Sequence, residues 1–368
     1  MKQENMLRKY PFYVKATVIL LGLTLFAFAL SALRTVLAPL AFALMLAILL
    51  NPLVNRLKKW KVPSTLAISI AIVFSLICLA LITYFFSSQL ASFSDQAPVF
   101  KEKFLQLLHK VQAGLASRFN IDVSKQNELL NEAGNSMKPL IGQTLGTVMS
   151  LAEVLVLIPF YAFLFLYYKP LILNFLFEVF AEANAEEVGV VLTQTRTAIQ
   201  QYMFGLVVEA VIVATLNSIA LLVLGVKYAI LLGCFGAILN ILPFIGGIIA
   251  VLLPLIIATV TKDGYGTQVG IIICYLVIQF VDNHFLVPYI VSSKVKINAL
   301  ASIIVVLLGG LAWGVAGMFL AIPFLGILKI IFDRVPELKP WGKLLGDEVP
   351  TRHKGQVWDL RKTRRKKT

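Results

Sequence analysis

The chain has 368 residues, 59% of them hydrophobic and 14% charged, whereas a water-soluble globule is typically about half apolar and a quarter charged. Too little polar surface remains to coat a folded body in water, which excludes a soluble enzyme, a disordered chain and a disulfide-stapled secreted domain. Lys and Arg number 33 against 19 Asp and Glu, a formal charge of +14. These cations gather at the ends of apolar runs and in the last eight residues, the pattern of cytoplasmic membrane flanks and not of a nucleic-acid-binding face.

About 20 apolar residues cross the hydrocarbon core, and on that measure the chain reads as an all-α polytopic membrane protein of about eight transmembrane helices. Residues 1–86 hold the first three, near 14–33, 35–50 and 65–86, with Arg34 alone between the first two and Pro39 early in the second. A polar stretch, 87–140, follows as a small extracytoplasmic helical insertion. There Phe100, Phe104, Leu107, Leu108, Val111 and Leu115 mark one face of an amphipathic helix, either a cap on the membrane body or a helix lying in the lipid interface. The fourth span falls in 141–168, with Glu153 at its interface.

Residues 169–201 read as cytoplasmic amphipathic helices: Leu171, Ile172, Phe175, Leu176, Val179 and Phe180 form a stripe, followed by the acidic Glu178, Glu182, Glu186 and Glu187. That cluster is a solvated face or a partner-docking surface. Residues 202–333 hold spans five to eight and the transport pathway, with a division at Gly225-Val226-Lys227 between the fifth and sixth. The sixth and eighth segments, 228–260 and 298–332, are too long for one straight span and are interrupted by Gly and Pro. Each is a tilted broken helix or a re-entrant hairpin.

The basic loop Arg56, Lys58, Lys59 and Lys61, the N-terminal Lys2, Arg8, Lys9 and Lys15, and the tail 334–368 ending Arg361-Lys362-Thr363-Arg364-Arg365-Lys366-Lys367 all read as cytoplasmic. Both termini on one side require an even number of crossings. Ala27-Phe28-Ala29 imitates a signal-peptidase site but lies inside an apolar run, so the segment is expected to be retained as an anchor.

No phosphate-binding G-x-x-x-x-G-K-[ST] occurs, the nearest fragment being Gly342-Lys343-Leu344, and no H-E-x-x-H. Cys78, Cys234 and Cys274 sit in apolar runs without metal or disulfide spacing. The chain is expected to be no enzyme and to need no cofactor or metal. Its positive signals are ionisable groups at membrane depth, which are costly and by default mark a pathway. Glu209 lies in span five. Gln279, Asp282 and Asn283 lie at the end of span seven, the first and last on one helical face with Asp282 beside them. Helix breaks at Asn240, Pro243, Gly246 and Gly247, and at Gly309, Gly310, Gly314 and Pro323, are the second signal. Broken helices free backbone groups to face a midplane site, although Gly310-x-x-x-Gly314 also fits close helix packing.

The Asn240-x-x-Pro243-Phe244-Ile245-Gly246 break, the Gln279…Asn283…Pro288 run and the Gly309-Gly310…Gly314…Gly317…Pro323 series resemble the AI-2E family of bacterial permease-like proteins. So does the stretch from Ala38-Pro39-Leu40 to Asn51-Pro52 with its basic loop and Pro63-Ser64. The resemblance implies an eight-helix inner-membrane protein, homo-oligomeric, exporting autoinducer-2 or exchanging sodium or lithium for protons, with a coupling role at Asp282-Asn283. The expected partners are membrane lipids, a small polar solute or monovalent cation, and further copies of the chain. A passive oligomeric channel and a non-transporting scaffold are the rival readings.

Overall fold

The structure is a computed structural model that describes residues 11–94, 156–242, 246–262, 264–291 and 296–347. The amphipathic stripe at 100–115, Glu153, Pro243 and the basic end of the tail lie outside the described residues. Within them the chain is helical, without strands.

Helices α1 (Phe12–Ala32) and α2 (Arg34–Lys59) meet at Leu33, which closes one and opens the other. α3 (Ser64–Ser94) runs back beside α2. Pro39 stands inside α2 rather than in its first turn, and Pro52 is a second interior proline. Each proline removes one backbone donor. At Pro52 the carbonyl left without its partner is that of Ile48, and Gln200 Nε2 donates to it at 2.8 Å. α2, α3 and α4 (Val156–Tyr167) share a core of Ala43, Ala47, Ala67, Ala71, Ala162 and larger aliphatics, small residues that let membrane helices approach closely.

The helical run Lys169–Val223 has 55 residues. As a straight rod, Lys169 and Gln200 would stand about 46 Å apart. Both instead touch one stretch of α2, Lys169 Nζ at Asn51 Oδ1 (3.0 Å) and Gln200 at Ile48. Phe177 also lies 3.8 Å from where a Gly189 β-carbon would stand. The run therefore doubles back, its limbs being α5 (Lys169–Phe180), bent 62° from α4, and α6 (Glu186–Val223). The fifth span thus belongs to a helix that begins at Glu186, inside the stretch expected to be a separate cytoplasmic insertion.

Both over-long segments resolve as helical hairpins. α7 (Ala229–Asn240) and α8 (Gly246–Thr261) have 12 and 16 residues, about 18 and 24 Å, short of a ~30 Å core. Gly236 faces Ala250, and Gly225, just before the hairpin, faces Lys262 just after it. The two limbs are antiparallel and both ends lie on one face. α9 (Gly266–Val281) continues into a π-helix, Asp282–Val291.

α10 (Ala299–Arg334) reverses at Gly314, whose φ of 63° is left-handed. Gly309 packs backbone against backbone on Gly317, and Asn298 bonds to Leu344, Leu345 and Gly346 of the terminal helix α11 (Lys339–Leu345). The tip reaches the end of α1, where Trp313 Nε1 donates to Leu30 O at 2.9 Å, an end-of-helix carbonyl with no partner of its own.

The basic loop after α2 marks one face of the molecule. Tracing the chain from there, α6 climbs to the opposite face, the α7–α8 hairpin dips in from that face, and α9 returns. The α10 hairpin then enters from the basic face. Among the described residues six helices are long and apolar enough to cross a membrane, α10 among them, or seven if the bent α4–α5 pair is one span, and the two over-long segments expected from the sequence, α7–α8 and α10, each fold back on themselves.

Candidate functional site

The tip of the α7–α8 hairpin, the middle of α6 and the α9–π junction converge on one polar cluster. Glu209 and Asp282 come from different helices. Each is almost fully buried, 6% and 2% exposed, and their carboxyl groups are in contact. Asn240 Nδ2 donates to Asp282 Oδ2 at 2.8 Å and Gln279 Nε2 to the same oxygen at 3.4 Å. Asp282 Oδ1 is buried with no donor among the described residues.

The sequence explains each placement. Asn240 ends α7, so its backbone carries the partial negative charge of a helix C-terminus, while Gly246 opens α8 with a partial positive one. Gly247 is small because the site has no room for more: a β-carbon there would fall 2.5 Å from Gln279 Oε1 and 3.5 Å from Asn240 Oδ1. Asp282 opens the π-helix, a widened turn that often marks functional positions. It turns the Asp282 carboxyl inward while Asn283 stays exposed.

A cavity of about 920 Å³ leads from this cluster toward the basic face. Tyr202, Glu209, Tyr275 and Gln279 line its inner end, Asn283 and Pro288 its middle, and Lys296, Ser302 and Asp347 its mouth at the base of the α10 hairpin. Tyr202 and Leu206 form its wall with Ile241, Val287, Phe319 and Ile322.

Of the residues singled out by sequence, the fold gathers Glu209, Asn240, Gly247, Gln279, Asp282 and Asn283 around this cavity. Gly246 packs on Leu239 at the hairpin tip. Gly309, Gly310 and Gly314 are elsewhere: Gly309 meets Gly317 and Ala321, Gly310 meets Met318, and Gly314 makes the turn. Pro323 is buried in α10 beside Ile199 and Tyr202, outside the main cavity lining. In this second hairpin the glycines close a seam.

Tyr202, Tyr275, Asn217 and Ser218 join these polar groups without belonging to any motif singled out by sequence. Asn217 Oδ1 and Tyr275 Oη are buried without hydrogen-bond partners among the described residues, and Asn217 and Tyr275 both lie within 4 Å of where a Gly236 β-carbon would stand. They form a polar patch behind the α7–α8 hairpin. An Asn in an apolar run was the available signal. Among the described residues no three His, Cys, Asp or Glu side chains converge as a metal site requires. His284 stacks on Phe280 at 4.3 Å and stays exposed.

A carboxylate has only acceptors, so two carboxyl groups in contact need a proton or another cation between them. Neighbouring amide oxygens, a helix C-terminus and an unpartnered carboxylate oxygen offer that cation a ligand set.

A family model described as AI-2E family transporter matches residues 17–337. The chain is 24% identical over 312 residues to the Escherichia coli "AI-2 transport protein TqsA", covering 85% of this chain and 90% of that protein. It is 24% identical over 321 residues to a Haemophilus influenzae "Putative transport protein", with the same shares covered.

Proposed function

The chain belongs to the AI-2E transporter family, and from that premise we propose that it is a secondary transporter, proton- or sodium-coupled, exporting a small polar solute of the autoinducer-2 kind or a monovalent cation. It works in a bacterial inner membrane with both termini cytoplasmic, as a homo-oligomer. The observation that carries this reading is the Glu209–Asp282 contact at the inner end of a cavity open to one face. In this reading the pair holds a proton in the resting state. Arrival of a cation among Asp282 Oδ1, Gln279, Asn283 and the Asn240 end of α7 displaces that proton, whereas a hydroxyl-bearing solute binds there beside the retained proton, and the α7–α8 tip and the base of the α10 hairpin exchange which face has access. Entry of the hairpins from opposite faces supports such alternation, because each covers the site from one side.

The test is ion flux in proteoliposomes carrying an internal pH dye, under imposed sodium and proton gradients, for wild type, Asp282→Asn and Glu209→Gln. Sodium- or solute-dependent proton movement is expected in wild type. Asp282→Asn, inserted at normal yield, is expected to fall to the level of empty liposomes. Unchanged flux in that variant would remove Asp282 from the mechanism. Purely downhill movement would favour a channel, and no flux with partner capture through 169–201 a scaffold.

A further inference from the structure

Lys169 opens α5 at the 62° bend from α4 and gives one hydrogen bond, to Asn51 Oδ1 on α2. The other half of that amide is unused: Asn51 is 5% exposed, and its Nδ2 is buried with no acceptor among the described residues. Two more cations crowd this point, since the charges of Arg196 and Lys58 both act on Lys169. Their positions follow from helical register. Arg196 stands one turn before Gln200, which bonds to α2 at Ile48, and Lys58 lies two turns beyond Asn51 on the same face.

Among the described residues the charges that act on Lys169 are both positive, and the ion pair present there, Lys329–Asp333, lies on α10. The junction of α2, α5 and α6 is therefore a set of donors and positive charges short of acceptors.

We propose that this junction binds a phosphoryl anion, supplied by the headgroup of an anionic phospholipid. The phosphate would accept from Asn51 Nδ2 and Lys169 Nζ while Arg196 and Lys58 neutralise it. Its surroundings favour a lipid over a free ion. Tyr167 and Tyr168, half exposed and packed edge to face at 5.0 Å, sit beside the bend as interfacial aromatics do at headgroup level. The site is independent of the Glu209–Asp282 cavity.

The experiment is native mass spectrometry of the full chain in detergent, delipidated and then offered phosphatidylglycerol or phosphatidylcholine. Wild type is expected to retain phosphatidylglycerol in preference. Lys169→Ala and Arg196→Ala should each lower that retention about fivefold, the factor corresponding to one interfacial cation, and leave phosphatidylcholine unchanged. Asn51→Asp gives Lys169 a carboxylate partner, so the fold should survive, with an unchanged melting temperature in phosphatidylcholine, while phosphatidylglycerol is lost. Equal retention of the two lipids by wild type, or undiminished phosphatidylglycerol retention in Asn51→Asp and Lys169→Ala, would overturn the proposal. A third arm offers millimolar inorganic phosphate. Failure to compete supports the lipid, whereas displacement of phosphatidylglycerol with stabilisation by phosphate alone would overturn the lipid assignment.

Discussion

Pro52 deprives α2 of one donor, and Gln200 restores a partner to the stranded Ile48 carbonyl. In a membrane no water stands in for a missing partner, so Gln200→Leu is expected to cost about 1–3 kcal/mol. In a Pro52→Ala background, where residue 52 regains its N–H, the same change should cost less. A double-mutant cycle of thermal unfolding in detergent measures that coupling, and additive effects would refute it. Gly247 bears on function instead. Gly247→Ala intrudes on the Gln279 carboxamide, a flexible end that can swing away. Near-normal stability with reduced coupled flux is expected, and flux equal to wild type would show that Gln279 need not stay at Asp282.

The two limbs that bring Asn240 and Gly247 to the site are short, 12 and 16 residues, because they fold back instead of crossing. α7 and α8 carry their own small-residue contacts, Gly236 against Ala250 and Gly233 against the backbone of Ser218 on α6. The α10 hairpin depends on a seam in which a β-carbon at Gly317 would fall on the Gly309 carbonyl. Gly317→Leu should therefore separate the limbs, destabilising by about 1–3 kcal/mol as core overpacking does. Gly314→Ala meets open space and is strained only by its backbone, φ 63° and ψ −141°, so it should cost less than Gly317→Leu, about 1–2 kcal/mol. Thermal stability of the two variants orders these effects, and the reverse order would contradict the hairpin seam.

Across the whole molecule, opposite entry of the two hairpins sets which residues share a face. Lys262 lies beside the α7–α8 base, and Lys296 at the cavity mouth beside the α10 base; both are exposed. In a background with Cys78, Cys234 and Cys274 replaced, Lys262→Cys should react with a membrane-impermeant maleimide from outside intact cells. Lys296→Cys should react only from the cytoplasmic side. Labelling of both from one side would break the topology, and with it the one-sided access that the transport reading needs.

Much of this was legible in the chain itself. Composition placed it in a membrane, apolar run lengths gave the eight segments, and the scarcity of ionisable groups at membrane depth drew attention to Glu209 and Asp282, because so few such groups are tolerated there. The Gly and Pro breaks in the sixth and eighth segments signalled interruption but were compatible with a kinked helix or a hairpin, since local sequence sets where a helix stops and not where the next limb packs. Tertiary contact decided that: Gly309 on Gly317 and Gly236 on Ala250 fold the limbs back. It also brought Glu209 to Asp282, 73 positions apart in the numbering, and recruited Tyr275 and Tyr202, whose residue types are unremarkable in an apolar run. The sequence by itself determined the solvent, the segments and the charges that had to find partners. Only the packed helices decided which partners they found, because in lipid a polar group is satisfied by whatever neighbouring helix the packing sets beside it.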